Sequence, residues 1–107
     1  MHSLKKENQS GGVNKLKLFL VHTGYYDKKN SDGFYEQHTN IFVIAKSVYE
    51  AREKVKQNEE YIDKKMHIDG IKEIINVEGY DLELKKVAKP QEIITYSHHQ
   101  IRFLKPQ

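Results

Sequence analysis

Two runs near the start of the chain carry the pattern of strands. In K-L-K-L-F-L-V-H-T (15–23), Leu16, Leu18 and Leu20 share one face, and Lys17, Phe19 and Val21 share the other. Apolar residues on both faces predict a central strand. His22 falls on the Leu face at the strand end, before Gly24, and reads as a satisfied edge residue. The second run, E-Q-H-T-N-I-F-V-I-A-K (36–46), contains the continuous apolar stretch I-F-V-I-A, the pattern of a strand buried on both faces. Between them, 24–35 is predicted to be a loop, because Gly24, Asn30, Asp32 and Gly33 are turn formers. Its aromatics, Tyr25, Tyr26, Phe34 and Tyr35, predict a lid folded over the sheet or, alternatively, a recognition loop.

A single helix is predicted over 47–65. Ser47 and Glu50 have capping-box spacing. Val48, Ala51, Val55 and Ile62 recur at spacings of 3, 4 and 7 on one face. Asn58 interrupts this stripe, which allows either a break or fraying after about Gln57. The stretch 66–87 is predicted to be a hairpin. Ile68, Ile71, Ile74, Ile75 and Val77 favour an extended backbone, and Gly70 is the natural slip point for a bulge. Gly79 is expected at the tip of a tight turn, followed by a half-buried strand in which Tyr80, Leu82 and Leu84 alternate with Asp81, Glu83 and Lys85. Beyond Pro90, the β-prone E-I-I-T-Y (92–96) reads as an extra C-terminal edge strand or an arm that packs on a neighbour.

The architecture implied is α+β in the order β-β-α-β-β, with one helix packed on a mixed or antiparallel sheet. The predicted divisions are a disordered tail over 1–14, the α+β domain over 15–88, and the arm or edge strand over 89–107. The tail is polar and ends in Ser10-Gly11-Gly12.

Composition narrows the chemistry. The 107 residues include no cysteine, which excludes disulfides, thiolate catalysis and cysteine-ligated metals. Net charge is +3, and Lys pairs are interleaved with Glu, so a solvated mixed surface is expected and not a phosphate-binding stripe. No apolar run approaches the roughly 18 residues of a membrane span, and the first residues show no hydrophobic signal core. A cytoplasmic protein without a membrane partner is the default expectation.

The candidate chemistry sits at the ends of two strands. His67 and Asp69 are two residues apart, hence on one strand face about 7 Å apart along the chain. Glu36 and His38 repeat that arrangement. If the two strand ends are neighbours, four polar groups converge, and two His with a carboxylate can hold a divalent metal or act as a general base with its orienting group. The plainer account is mutual hydrogen bonding. Tyr25 from the loop and Tyr80 from the hairpin complete a candidate ligand-binding set with Glu36, His38, His67 and Asp69. No metal site is predicted outright; His38, His67 and Asp69 are the ligands if there is one, and no cofactor is expected. His98-His99 point to opposite faces of any strand, and no metalloprotease, phosphate-loop or nucleophile-elbow motif occurs.

Four pieces, L-F-L-V-H-T-G-Y-Y, E-Q-H-T-N-I-F-V-I-A-K-S, M-H-I-D-G-I and V-E-G-Y-D-L-E-L, together resemble an uncharacterised bacterial family known as domain of unknown function 1543. The resemblance covers roughly 15–84. It implies a small α+β domain that sometimes occurs as two copies in one chain. Ile71 stands where the family pattern usually has an aromatic just after H-I-D. This chain would carry one copy, which favours pairing between chains. The reading that follows is a small non-enzymatic binding or assembly module acting as a homodimer. The alternatives are a metal-binding or hydrolytic enzyme using Glu36, His38, His67 and Asp69, and a weak nucleic-acid binder. The last is disfavoured because only the first strand pairs a basic residue with an aromatic on one face.

Overall fold

The computed structural model describes residues 15–31 and 33–107, so the predicted tail over 1–14 lies outside the described residues. Three long strands form one antiparallel sheet in the order β2-β1-β3: β1 (Lys17–Tyr26), β2 (Glu36–Ala45) and β3 (His67–Ile74). A short helix, α1 (Lys28–Ser31), joins β1 to β2. Two more, α2 (Val48–Val55) and α3 (Glu59–Asp63), cross from β2 to β3. A two-stranded ribbon follows, β4 (Asn76–Val77) and β5 (Tyr80–Asp81), and the last element is α4 (His98–Arg102). The α+β class and the central place of the first strand stand as expected, and the sheet is antiparallel throughout.

The two faces of β1 have different fates. Phe19, Val21 and Thr23 are fully buried on one face, and there Phe19, Ala45 and Ala51 of α2 form the core with Val43, Val48 and Ile71 packed around them. Residues directly opposite in an antiparallel pair share a face. The pairings Leu18↔Ile44, Leu20↔Phe42, His22↔Asn40 and Gly24↔His38, with Leu18↔Ile74 and Leu20↔Lys72 on the other side, therefore define the second face. No helix covers that face among the described residues. Phe42 is 62% exposed, so β2 alternates and is not buried on both sides.

The single helix expected over 47–65 is two. Ser47 caps α2 by accepting from Glu50 N at 3.2 Å, while Glu50 Oε1 accepts from Lys46 N at 3.2 Å. Asn58 is the cap of α3, its Oδ1 accepting from Glu60 N at 2.9 Å and from Tyr61 N at 3.2 Å. An Asn side chain that competes for backbone N–H groups ends one helix and starts the next. Ile62 consequently leaves the apolar stripe and is exposed.

Three further expectations are corrected. The 24–35 segment is not a loop throughout, since β1 runs on to Tyr26 and α1 follows. Its aromatics form no lid: Tyr26, Phe34 and Tyr35 are exposed. The 66–87 hairpin separates into β3, which pairs with β1, and the small β4–β5 ribbon. Its two-residue turn has positive φ at both Glu78 (54°) and Gly79 (88°), the geometry of a type I′ turn. Tyr80–Asp81 is all that remains of the half-buried strand, and it is exposed. Finally, no C-terminal strand forms. Ser97 and Gln100 make a complete capping box, which turns S-H-H-Q into the start of α4.

Candidate functional site

A bulge builds the site. Along β1 and β3 the register runs Gly24↔His67 and Thr23↔Ile68, then His22↔Gly70. Asp69 is the unpaired extra residue, next to the glycine whose lack of a side chain eases the slip. A strict alternation would place His67 and Gly70 on opposite faces. The extra residue puts both on the open face, with Asp69 turned toward the same end of the sheet.

Gly24 is the floor of the cluster. It lies on the middle strand between His38 and His67. A Cβ built there would stand 2.7 Å from His67 Nε2 and 2.9 Å from Asp69 Oδ2. No side chain larger than hydrogen fits beneath these two groups as they stand.

Above this floor two carboxylates and two imidazoles close a ring. Glu36 Oε1 is 3.0 Å from His38 Nε2, and Glu36 Oε2 is 2.8 Å from His67 Nε2. Asp69 Oδ2 is 3.3 Å from His38 Nδ1, and Asp69 Oδ1 is 3.2 Å from His67 Nε2. Each carboxylate thus bridges both rings. Glu36, His38, His67 and Asp69 converge as the strand-end argument required, and all four side chains are partly accessible to solvent.

Two residues join them that strand-by-strand reading left aside. The His22 ring lies parallel to that of His38, with centroids 5.0 Å apart and an interplanar angle of 5°. His22 Nδ1 is 2.9 Å from Asn40 Oδ1. An amide oxygen only accepts, so in this contact His22 donates from Nδ1. The signal was in the sequence: Glu36, His38 and Asn40 are spaced by two, as are His22 and Gly24, so each set shares a strand face. A depression lined by Leu20, His22, Asn40, Asp69, Gly70 and Lys72 continues from the cluster along the open face.

Tyr25 and Tyr80 stand elsewhere. Tyr25 pairs with Gln37 on the helix side, and the Lys64 ammonium lies 4.8 Å from its ring centroid. Glu60, bonded to that ammonium, together with Tyr25 holds the Lys64 pKa above its ordinary value. Tyr80 lies on the exposed ribbon.

Two sets of three donors have the spacing needed for a metal. In Glu36, His67 and Asp69, and again in His22, His38 and Asp69, one ligand atom per residue lies within 4.8 Å of the others. Asp69 belongs to both sets, while His38 and His67 fall in different ones. The trio His38, His67 and Asp69 is therefore divided.

Fold and site together define a small α+β module with a histidine–carboxylate cluster on the open face of a three-stranded sheet. The family model described as Domain of Unknown Function (DUF1543) matches residues 33–84, which supports the resemblance read from the sequence. The matched stretch holds Glu36, His38, Asn40, His67 and Asp69, whereas His22 and Gly24 lie on β1, outside it. No curated protein and no solved structure matches the chain. Among the described residues, no helix is long and apolar enough to cross a membrane.

Proposed function

We propose that this chain is a small binding module whose ligand is a divalent metal ion held by Glu36, His67 and Asp69. The observation that carries the reading is the position of His67 Nε2, which faces a carboxylate oxygen on each side at 2.8 and 3.2 Å. One N–H bond points in one direction and serves two such acceptors poorly. A cation among the three atoms serves all of them. In a tetrahedral site with ligands at about 2.0–2.1 Å, donor atoms are separated by about 3.3 Å. The two contacts need to open by only a few tenths of an ångström.

The set formed by Glu36, His67 and Asp69 is favoured over the other for a geometric reason. Metal ions bind imidazole in the ring plane, along the lone pair. The parallel planes of His22 and His38 cannot both contain one ion. His38 serves instead as an outer partner, its Nε2–H donating to Glu36 Oε1 and orienting that carboxylate. One imidazole and two carboxylates suit zinc or manganese and leave a coordination position for water or a ligand group.

Titration calorimetry with Zn²⁺ and Mn²⁺ on untagged protein tests this. One ion per chain is expected, lost in His67→Ala and Asp69→Asn and kept in His22→Ala. Circular dichroism should show all three variants folded. Absence of binding in the unaltered chain would overturn the proposal, and so would binding that survives both His67→Ala and Asp69→Asn.

A further inference from the structure

We infer that two copies of this chain pair by exchanging their C-terminal arms, each laying its arm over the apolar half of the other's open sheet face. This inference does not depend on the metal. It comes from two apolar surfaces in one chain that stay open among the described residues.

The first surface is the lower half of the open face. Leu18, Leu20, Phe42, Ile44 and Ile74 stand side by side there by register, on the face opposite α2. Phe42 and Ile44 are exposed. The polar cluster occupies only the other end of this face. Contiguous apolar surface of this kind marks a contact site in soluble proteins.

The second surface is the arm. Every residue of 75–107 is exposed. Within it Ile93 is 86% exposed, and Ile94, Phe103 and Leu104 are all more than 60% exposed. A segment this apolar gains nothing from standing in water, and past Leu84 no described residue of it is buried. The arm departs from the correct place. Leu82 and Leu84 flank the start of β1 and line a groove with Leu16, Leu18 and Ile74, at the edge of the apolar half-face. Beyond that groove the chain leaves the body.

A second copy supplies what each surface lacks. An isologous pair offers one face and one arm from each chain, so both surfaces are covered twice by one symmetric contact. Stable interfaces use about 20–30 residues a side, which the arm and the face together provide. The arms would leave the cluster around Gly24 at the rim of the interface, still reachable by an ion.

The full chain tests this by sedimentation equilibrium at tens of micromolar. The unaltered protein should be a dimer. Phe42→Asp on the face and Ile94→Asp on the arm should each weaken it at least tenfold. Both should keep their circular dichroism spectra, because Phe42 and Ile94 are mostly exposed. Mixing the two variants should recover association, since one sound face then meets one sound arm. A monomeric unaltered chain would overturn the proposal. A dimer broken by Phe42→Asp but untouched by Ile94→Asp would mean that the faces pair directly, and would overturn the arm exchange.

Discussion

Replacing Gly24 by alanine separates the site from the fold. The added Cβ would lie 2.7 Å from His67 Nε2 and 2.9 Å from Asp69 Oδ2, while ordinary contact begins near 3.4 Å. The difference, 3.4 − 2.7 = 0.7 Å for the ring and 3.4 − 2.9 = 0.5 Å for the carboxylate, is the least displacement that relieves the clash. Both atoms are the ends of rotatable, partly exposed side chains, so they move and the strand stays. The strand interior itself favours alanine over glycine by about 0.5–1 kcal/mol. The melting temperature should therefore change by only a few degrees. Metal ligands, by contrast, tolerate about 0.2 Å. A shift three times larger at two of three ligands should weaken Zn²⁺ binding by at least about 10–100-fold, the loss typical of disturbing a ligand's supports. Gly70→Ala is the control: a Cβ there meets nothing within 4 Å, so binding should be unchanged. Titration calorimetry with thermal melts decides the matter. If Gly24→Ala binds Zn²⁺ like the unaltered chain, or unfolds, Gly24 is not the floor that sets the positions of His67 and Asp69.

Three further outcomes follow from the packing. Phe19→Ala removes the largest fully buried side chain of the core and should cost about 3–5 kcal/mol in urea unfolding, nearly abolishing the fold. Ser47→Ala leaves the Glu50 N–H without its cap and should cost about 1 kcal/mol by the same measurement. Gly79→Ala forces a side chain into φ 88° at the ribbon turn. A penalty of about 1–2 kcal/mol should confine itself to β4–β5, seen as roughly tenfold faster hydrogen exchange at the Leu82 amide, which donates to Ile75 O at 2.9 Å. Loss of global stability in that variant would mean the ribbon folds with the sheet.

The period of two along the strands was enough, without coordinates, to place Glu36 with His38 and to mark the segments that became the three long strands, though the fourth strand it predicted shrinks to the β4–β5 ribbon. The Asn58 interruption and the Ser47 cap were also legible, because helix ends are local hydrogen-bonding decisions made by neighbouring residues. Register is not local. Only the folded sheet decided that Gly24 faces both His38 and His67, that Asp69 is the bulged residue, and that His22 and Asn40 stand beside the ring. Each depends on which residue of a distant strand lies opposite. The choice between the two apolar faces of β1 belonged to tertiary structure as well. Alternation identified both faces, but only the packing of Ala51 and Val48 from α2 against Phe19 settled which became the core and which was left open for the site.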